Sequence, residues 1–150
     1  MKVGDIAPDF TLPREDGTML CLYDQLSRGP VVLFFYPKAM TSGCTAESCH
    51  FRDLSKEFAK QGAIRIGISA DRVEKQRQFS EKHDFDYPLV SDSKRQVAQA
   101  YEVKRPGPLF NRRVTFVIGT DQKIAGVISS ELNMDKHADE ALKIVASLTS

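Results

Sequence analysis

Two cysteines five residues apart, Cys44 and Cys49, are the side chains whose type and spacing offer chemistry first. Cys44 follows the run Pro37-Lys38-Ala39-Met40-Thr41-Ser42-Gly43, just beyond an apolar segment and where a helix should begin. A helix N-terminus presents unpaired backbone N–H groups and the positive end of the macrodipole. A thiolate placed there is stabilised, and the thiolate is the nucleophilic form of cysteine. Gly43 has no Cβ, so the backbone can come close to whatever the sulfur attacks. Thr41 can turn its hydroxyl toward the sulfur or toward a bound oxygen. The alternative is a buried structural thiol, a common fate of free cysteine. A cysteine after a Pro-to-Gly turn at a helix start fits that picture poorly.

On an intact helix, a five-residue step gives a rise of about 7.5 Å and a rotation of about 140°. The two Cα atoms would stand roughly 8 to 9 Å apart, beyond the usual reach of a disulfide. A Cys44–Cys49 bond therefore requires the first turns of the helix to unwind. Thr45, Ser48 and His50 are modest helix formers and would ease that opening. The competing reading makes Cys49 a core filler on the inner face. A zinc site from Cys44, Cys49 and His50 is set aside, because no second pair of ligands completes it. Cys21 reads as a half-buried strand residue. His50, His83 and His137 are scattered, with no nucleophile–base pairing visible in the sequence.

A thiolate that attacks an O–O bond builds negative charge on the leaving oxygen, so a fixed cation should lie nearby. Arg113 opens the apolar run Val114-Thr115-Phe116-Val117-Ile118, where its fork can be aimed into a site. Its neighbour Arg112 would point to the opposite face. Arginines at strand ends are more often solvated, so spacing alone does not decide the matter.

The elements that must hold these residues follow from periodicity. Phe10-Thr11-Leu12, Asp16-Gly17 and Leu20-Cys21-Leu22 predict a short N-terminal hairpin. Residues 31–36 are apolar on both faces, as a central strand should be. The pattern over 43–60 predicts one helix with Phe51, Leu54 and Phe58 on a stripe and Gly62 as its stop. A strand over 63–69, a helix over 72–83, an extended piece over 87–91 and a helix over 93–101 follow. The segment 104–111, with Pro106, Gly107 and Pro108, reads as a loop. Strands over 113–119 and 123–129 form a hairpin across Thr120-Asp121-Gln122. Ala138, Ala141, Leu142, Val145 and Leu148 mark a closing helix. This order is that of a thioredoxin-like α/β sandwich, a central mixed sheet flanked by helices.

The 150 residues suit one domain spanning 1–150 with a continuous core. With 21 basic and 20 acidic residues the net charge is +1, which gives no electrostatic case for nucleic acid or an anionic membrane. No apolar stretch follows Met1-Lys2-Val3-Gly4-Asp5, and no run is long enough to span a bilayer. A cytoplasmic location is expected, where any disulfide among Cys21, Cys44 and Cys49 would be transient and chemical.

Together these residues resemble the peroxiredoxin family, whose pattern of Pro, three residues, Thr or Ser, two residues and Cys reads here Pro37…Thr41…Cys44. A second cysteine five residues on looks like the bacterioferritin comigratory protein (Q-type) branch. The resemblance runs from Gly4-Asp5-Ile6-Ala7-Pro8-Asp9-Phe10 through Phe34-Phe35-Tyr36-Pro37 and Phe51-Arg52-Asp53 to Arg113–Ile118. It implies that Cys44 is the peroxidatic cysteine, oxidised by a hydroperoxide to a sulfenic acid. Thr41 and Arg113 would position the peroxide, Pro37 and Gly43 would line the pocket, and Cys49 would resolve the sulfenic acid as an intramolecular disulfide. A thioredoxin-type dithiol would then reduce that disulfide. The resemblance implies no metal, flavin or haem, and leans toward a monomer over a dimer. Ser42, Ala39-Met40 and Gly119 depart from the branch pattern.

Two other functions use similar chemistry. A thioredoxin-like disulfide oxidoreductase would want Cys-x-x-Cys at the helix start, which Gly43-Cys44-Thr45-Ala46-Glu47 lacks. A non-enzymatic redox sensor would form the same sulfenic acid and pass it to a partner.

Overall fold

The fold is described from a computed structural model, for residues 1–107 and 109–149. Pro108, expected in the 104–111 loop, lies outside the described residues. The hairpin forms as β1 (Thr11–Pro13) and β2 (Met19–Cys21), antiparallel with Thr11 opposite Cys21. A five-residue helix that periodicity did not foretell, α1 (Leu22–Leu26), buries Leu22 and Leu26 one turn apart.

The main sheet has five strands: β3 (Val31–Phe35), β4 (Ile64–Ser69), β5 (Leu89–Ser91), β6 (Val114–Ile118) and β7 (Ile124–Ser129), in the order β5-β4-β3-β6-β7. The first three are parallel, and β6 and β7 run antiparallel to their neighbours. Strand β3 is buried along its whole length, as its apolar run requires. Val31, Leu33 and Phe35 face a core covered by the hairpin, α1 and α5 (Gln96–Ala100). Val32 and Phe34 face a second core covered by α2 (Ser42–Asp53), α3 (Ser55–Lys60), α4 (Val73–His83) and α6 (Met134–Thr149). The expected mixed sheet flanked by helices, with an added hairpin, is thus the observed architecture. Among the described residues no helix is long and apolar enough to cross a membrane.

Two helices differ from their sequence expectation. The stretch 43–60 is broken at Leu54, whose φ of −93° and ψ of 19° separate α2 from α3. Phe51 and Phe58 stay buried on either side, so the break keeps both in one core. At that break Arg65 of β4 donates to the Phe51 carbonyl at 2.7 Å and to both carboxylate oxygens of Asp86 at 3.0 and 2.7 Å. Gly62, at φ +67°, ends α3 as expected. The helix expected over 93–101 shrinks to α5, because the Asp92 carboxylate accepts the N–H groups of Val97 and Ala98. That contact holds the preceding residues in a turn, with Arg95 left-handed at φ 58°.

Candidate active site

The register of the sheet assembles the site. Phe35, the last residue of β3, lies opposite Val114, the first of β6. The turn after β3 therefore meets the residue just before β6, which is Arg113.

That turn is firmly braced. Met40 adopts the left-handed region at φ 70°, a conformation costly for a side chain with a Cβ. The buried Ala39 N–H donates to Asp71 Oδ2 at 2.7 Å, and Ser69 Oγ donates to the same oxygen at 2.6 Å. Gln76 Nε2 donates to Ser69 Oγ at 3.1 Å, while the Tyr36 hydroxyl donates to Gln76 Oε1. This chain of side chains ties the turn to the end of β4 and to α4.

Thr41 sits at the N-cap of α2 with extended backbone, and its carbonyl accepts the Thr45 N–H at 2.9 Å. Its hydroxyl donates to the Lys38 carbonyl at 2.9 Å and not to the sulfur. The extended N-cap backbone aims the side chain back across the turn. The donor is thereby used, and the oxygen's lone pairs remain available to an incoming O–H. Pro37 is half-buried at the start of the turn.

Cys44 lies in the first turn of α2, fully buried. Arg113 Nη2 donates to its sulfur at 3.4 Å. Arg113 is itself buried while Arg112 is exposed, as strand alternation predicts. A Cβ added at Gly43 would stand 3.3 Å from Arg113 Nη2 and 3.4 Å from Met134 Cε. A side chain there would have to push the guanidinium and the Met134 methyl back by a few tenths of an ångström.

The sequence reading missed two buried residues. Glu47, one turn beyond Cys44 on α2, accepts from Arg113 Nη1 at 2.7 Å through Oε1. Burial pushes its carboxyl up to about 8, against the pull of Arg113. Its Oε2 has no hydrogen-bond partner and lies 3.5 Å from His137 Nδ1. His137, on α6, is fully buried, with Nδ1 2.8 Å from Thr115 Oγ1 and Nε2 2.8 Å from the Ser130 carbonyl. Burial lowers its affinity for a proton. A signal for each existed: Glu47 shares a helix face with Cys44 at i+3, and His137 lies beside Ala138 on the Ala138-Ala141-Val145 stripe. The Arg113 backbone N–H also donates to Glu131 at 2.9 Å.

Cys49 stands half-buried on the same unbroken helix as Cys44, and all three cysteines are free thiols. Burial pushes the Cys49 thiol up, with Arg52 pulling the other way. The helix between the two is held by the Tyr87 hydroxyl, which donates to the Ser48 carbonyl at 2.7 Å, and by His50 Nε2, 2.7 Å from Asp139 on α6. Cys44, Cys49 and His50 do not converge. Among the described residues no group of three or more His, Cys, Asp or Glu is arranged to hold a metal ion.

Residues 3–127 match the model of the AhpC/TSA family. The chain belongs to that family. Peroxiredoxin Bcp of Escherichia coli K12 is 37% identical over 148 residues, covering 95% of this chain and 94% of its own. The crystal structure of peroxidoxin BcpB from Mycobacterium tuberculosis superposes with a TM-score of 0.97 at 54% identity, over 100% of this chain and 99% of that one. The bacterioferritin comigratory protein of Xanthomonas campestris gives 0.90 at 28% identity, over 100% of both chains. As a peroxiredoxin the chain is a thiol-dependent peroxidase that works by a cysteine redox cycle.

Proposed function

We propose that Cys44 is the peroxidatic residue and Cys49 the resolving one, within a single domain spanning residues 1–150. The observation that carries this is Arg113 Nη2, 3.4 Å from the Cys44 sulfur in a buried site at a helix start. The Cys44 thiolate attacks the nearer peroxide oxygen, forming S–O and breaking O–O. The leaving oxygen takes a proton and departs as water or an alcohol, and the sulfur becomes a sulfenic acid. Arg113 faces the charge as it moves from sulfur to oxygen, and Thr41 Oγ1 accepts the peroxide O–H. Pro37 and Gly43 complete the pocket.

Helix α2 then opens. Cys49 attacks the Cys44 sulfur, an S–S bond replaces S–O, and the hydroxyl leaves as water. A dithiol of the thioredoxin type supplies the two electrons and two hydrogens that restore both thiols. No cofactor takes part in this scheme. Its substrates are hydrogen peroxide and organic hydroperoxides; alkyl peroxide reduction is described for the Xanthomonas relative. The resemblance to the Q-type branch supports a monomer, and the cytoplasm is the location this reading assigns.

Stopped-flow oxidation by hydrogen peroxide tests the assignment. The Cys44→Ser variant should lose the fast phase, and an unchanged rate would overturn the reading. Disulfide mapping after one equivalent of peroxide should find Cys44–Cys49; a bond to Cys21 or between chains would refute the resolving role.

A further inference from the structure

The buried Glu47–His137 contact has a proton to account for. His137 Nε2 faces the Ser130 carbonyl at 2.8 Å, and that pairing needs an N–H on Nε2. A neutral ring then has a bare Nδ1 with a single lone pair, and Thr115 Oγ1 lies 2.8 Å from it. Glu47 Oε2 points at the same bare nitrogen from 3.5 Å and finds no other donor. Two lone pairs facing each other in a sealed site are unfavourable, and one shared proton removes the conflict. The placement of the proton on Glu47 agrees with the effect of burial, which raises Glu47 to about 8 and lowers His137.

The same proton balances the charge around Arg113, whose two Nη atoms hold Cys44 and Glu47. A thiolate and a carboxylate together would place two buried anions on one cation, at a high desolvation cost. With Cys44 as thiolate and Glu47 protonated the cluster is neutral. With Cys44 as sulfenic acid and Glu47 ionised it is neutral again.

We propose that Glu47, backed by His137, stores a proton that is discharged when Cys44 is oxidised, so that the leaving oxygen is neutralised from inside the protein. The inference rests on the assignment of Cys44 above. In balanced form, the Cys44 thiolate, the peroxide and the Glu47 acid give sulfenic acid, water or alcohol, and the Glu47 carboxylate. The sulfur loses two electrons to the peroxide, and Glu47 gives up one proton as the leaving oxygen gains one. Other groups that act on the pair are Tyr87 ahead of β5, Glu131 after β7, and Lys136 on α6.

Proton counting tests it. Cys49→Ser protein, in weak buffer with a pH indicator, is mixed with one equivalent of hydrogen peroxide, and Cys44 ionisation beforehand is read from ultraviolet thiolate absorbance. At pH 7 the expected uptake from solvent is close to zero per site, rising toward one as pH passes about 8 and the store empties. Adding Glu47→Gln should bring the uptake at pH 7 to one proton per thiolate. A full proton taken up at pH 7 with Glu47 intact overturns the proposal, as does a starting thiol in place of the thiolate. Should the double variant not fold, infrared difference spectroscopy on Cys49→Ser protein decides. Loss of a protonated carboxylic acid C=O band on oxidation is expected, and its absence overturns the store. Mass spectrometry separates the two readings: no oxygen added at Cys44 defeats the peroxidatic assignment, whereas oxygen added with full proton uptake defeats only the store.

Discussion

Arg113 and Cys44 are 69 residues apart in sequence, yet Nη2 of one lies 3.4 Å from the sulfur of the other. The second Nη holds Glu47 at 2.7 Å, so one guanidinium holds Cys44 and a carboxyl group on the same helix. Lysine keeps the charge and loses this fork. Arg113→Lys should lower the rate of Cys44 oxidation by roughly 100- to 1,000-fold, the cost of removing an aimed donor. Stopped-flow kinetics with hydrogen peroxide would read this, with circular dichroism to check the fold.

Helix opening should respond to two opposite changes. Ser48 is buried and its hydroxyl has no hydrogen-bond partner. Ser48→Ala raises helix propensity by about 0.5 kcal/mol, so disulfide formation should slow roughly twofold. Tyr87→Phe removes the bond to the Ser48 carbonyl, worth about 1 kcal/mol, and should speed it about fivefold. Rates of disulfide formation after a peroxide pulse measure both. Equal rates in the two variants would show that opening is not the controlling step.

How much of this was readable beforehand varies with the physics involved. The β3 run Val31–Phe35 announces a central strand because every side chain is apolar, and the strand is buried throughout. Cys44 at the helix start follows from local pattern, and alternation separates Arg113 from Arg112, but the contact of Arg113 with the sulfur is set by the pairing of β3 with β6. Glu47 and His137 follow from neither, since a glutamate or histidine in a helix usually faces water. Their burial is decided by which face of α2 packs on α6, a tertiary fact. The break at Leu54 was hidden for a similar reason: Phe51, Leu54 and Phe58 fit one helical stripe, and only the anchoring by Arg65 distinguishes two helices.

Global stability should carry a pH signature from Glu47. Its folded value, about 8, exceeds the ordinary 4.5, so the folded chain binds a proton that the unfolded chain has lost. Stability from this source is complete below about 4.5 and declines as pH rises through about 8. Urea midpoints measured from pH 5 to 8 should fall with rising pH, and Glu47→Gln should flatten that slope.

The brace beneath the turn should matter to substrate positioning. Asp71→Ala removes the acceptor of the Ala39 N–H and frees the turn that carries Thr41. The expected loss in kcat/KM is about ten- to a hundredfold. Asp71→Asn retains an acceptor oxygen and should recover part of it. Equal losses in both variants would point to damage elsewhere than this bond.

The grip of Arg65 on the Phe51 carbonyl has a kinetic consequence. It holds the far end of α2, so in the proposed opening the unwound segment should lie between that anchor and the braced turn before Cys44. A tether that short keeps the Cys49 thiol at an effective concentration on the order of millimolar or above around Cys44. Free thiols in solution must match that concentration to intercept the sulfenic acid. Disulfide closure in the proposed scheme should therefore be first order in protein, with a rate that dilution leaves unchanged.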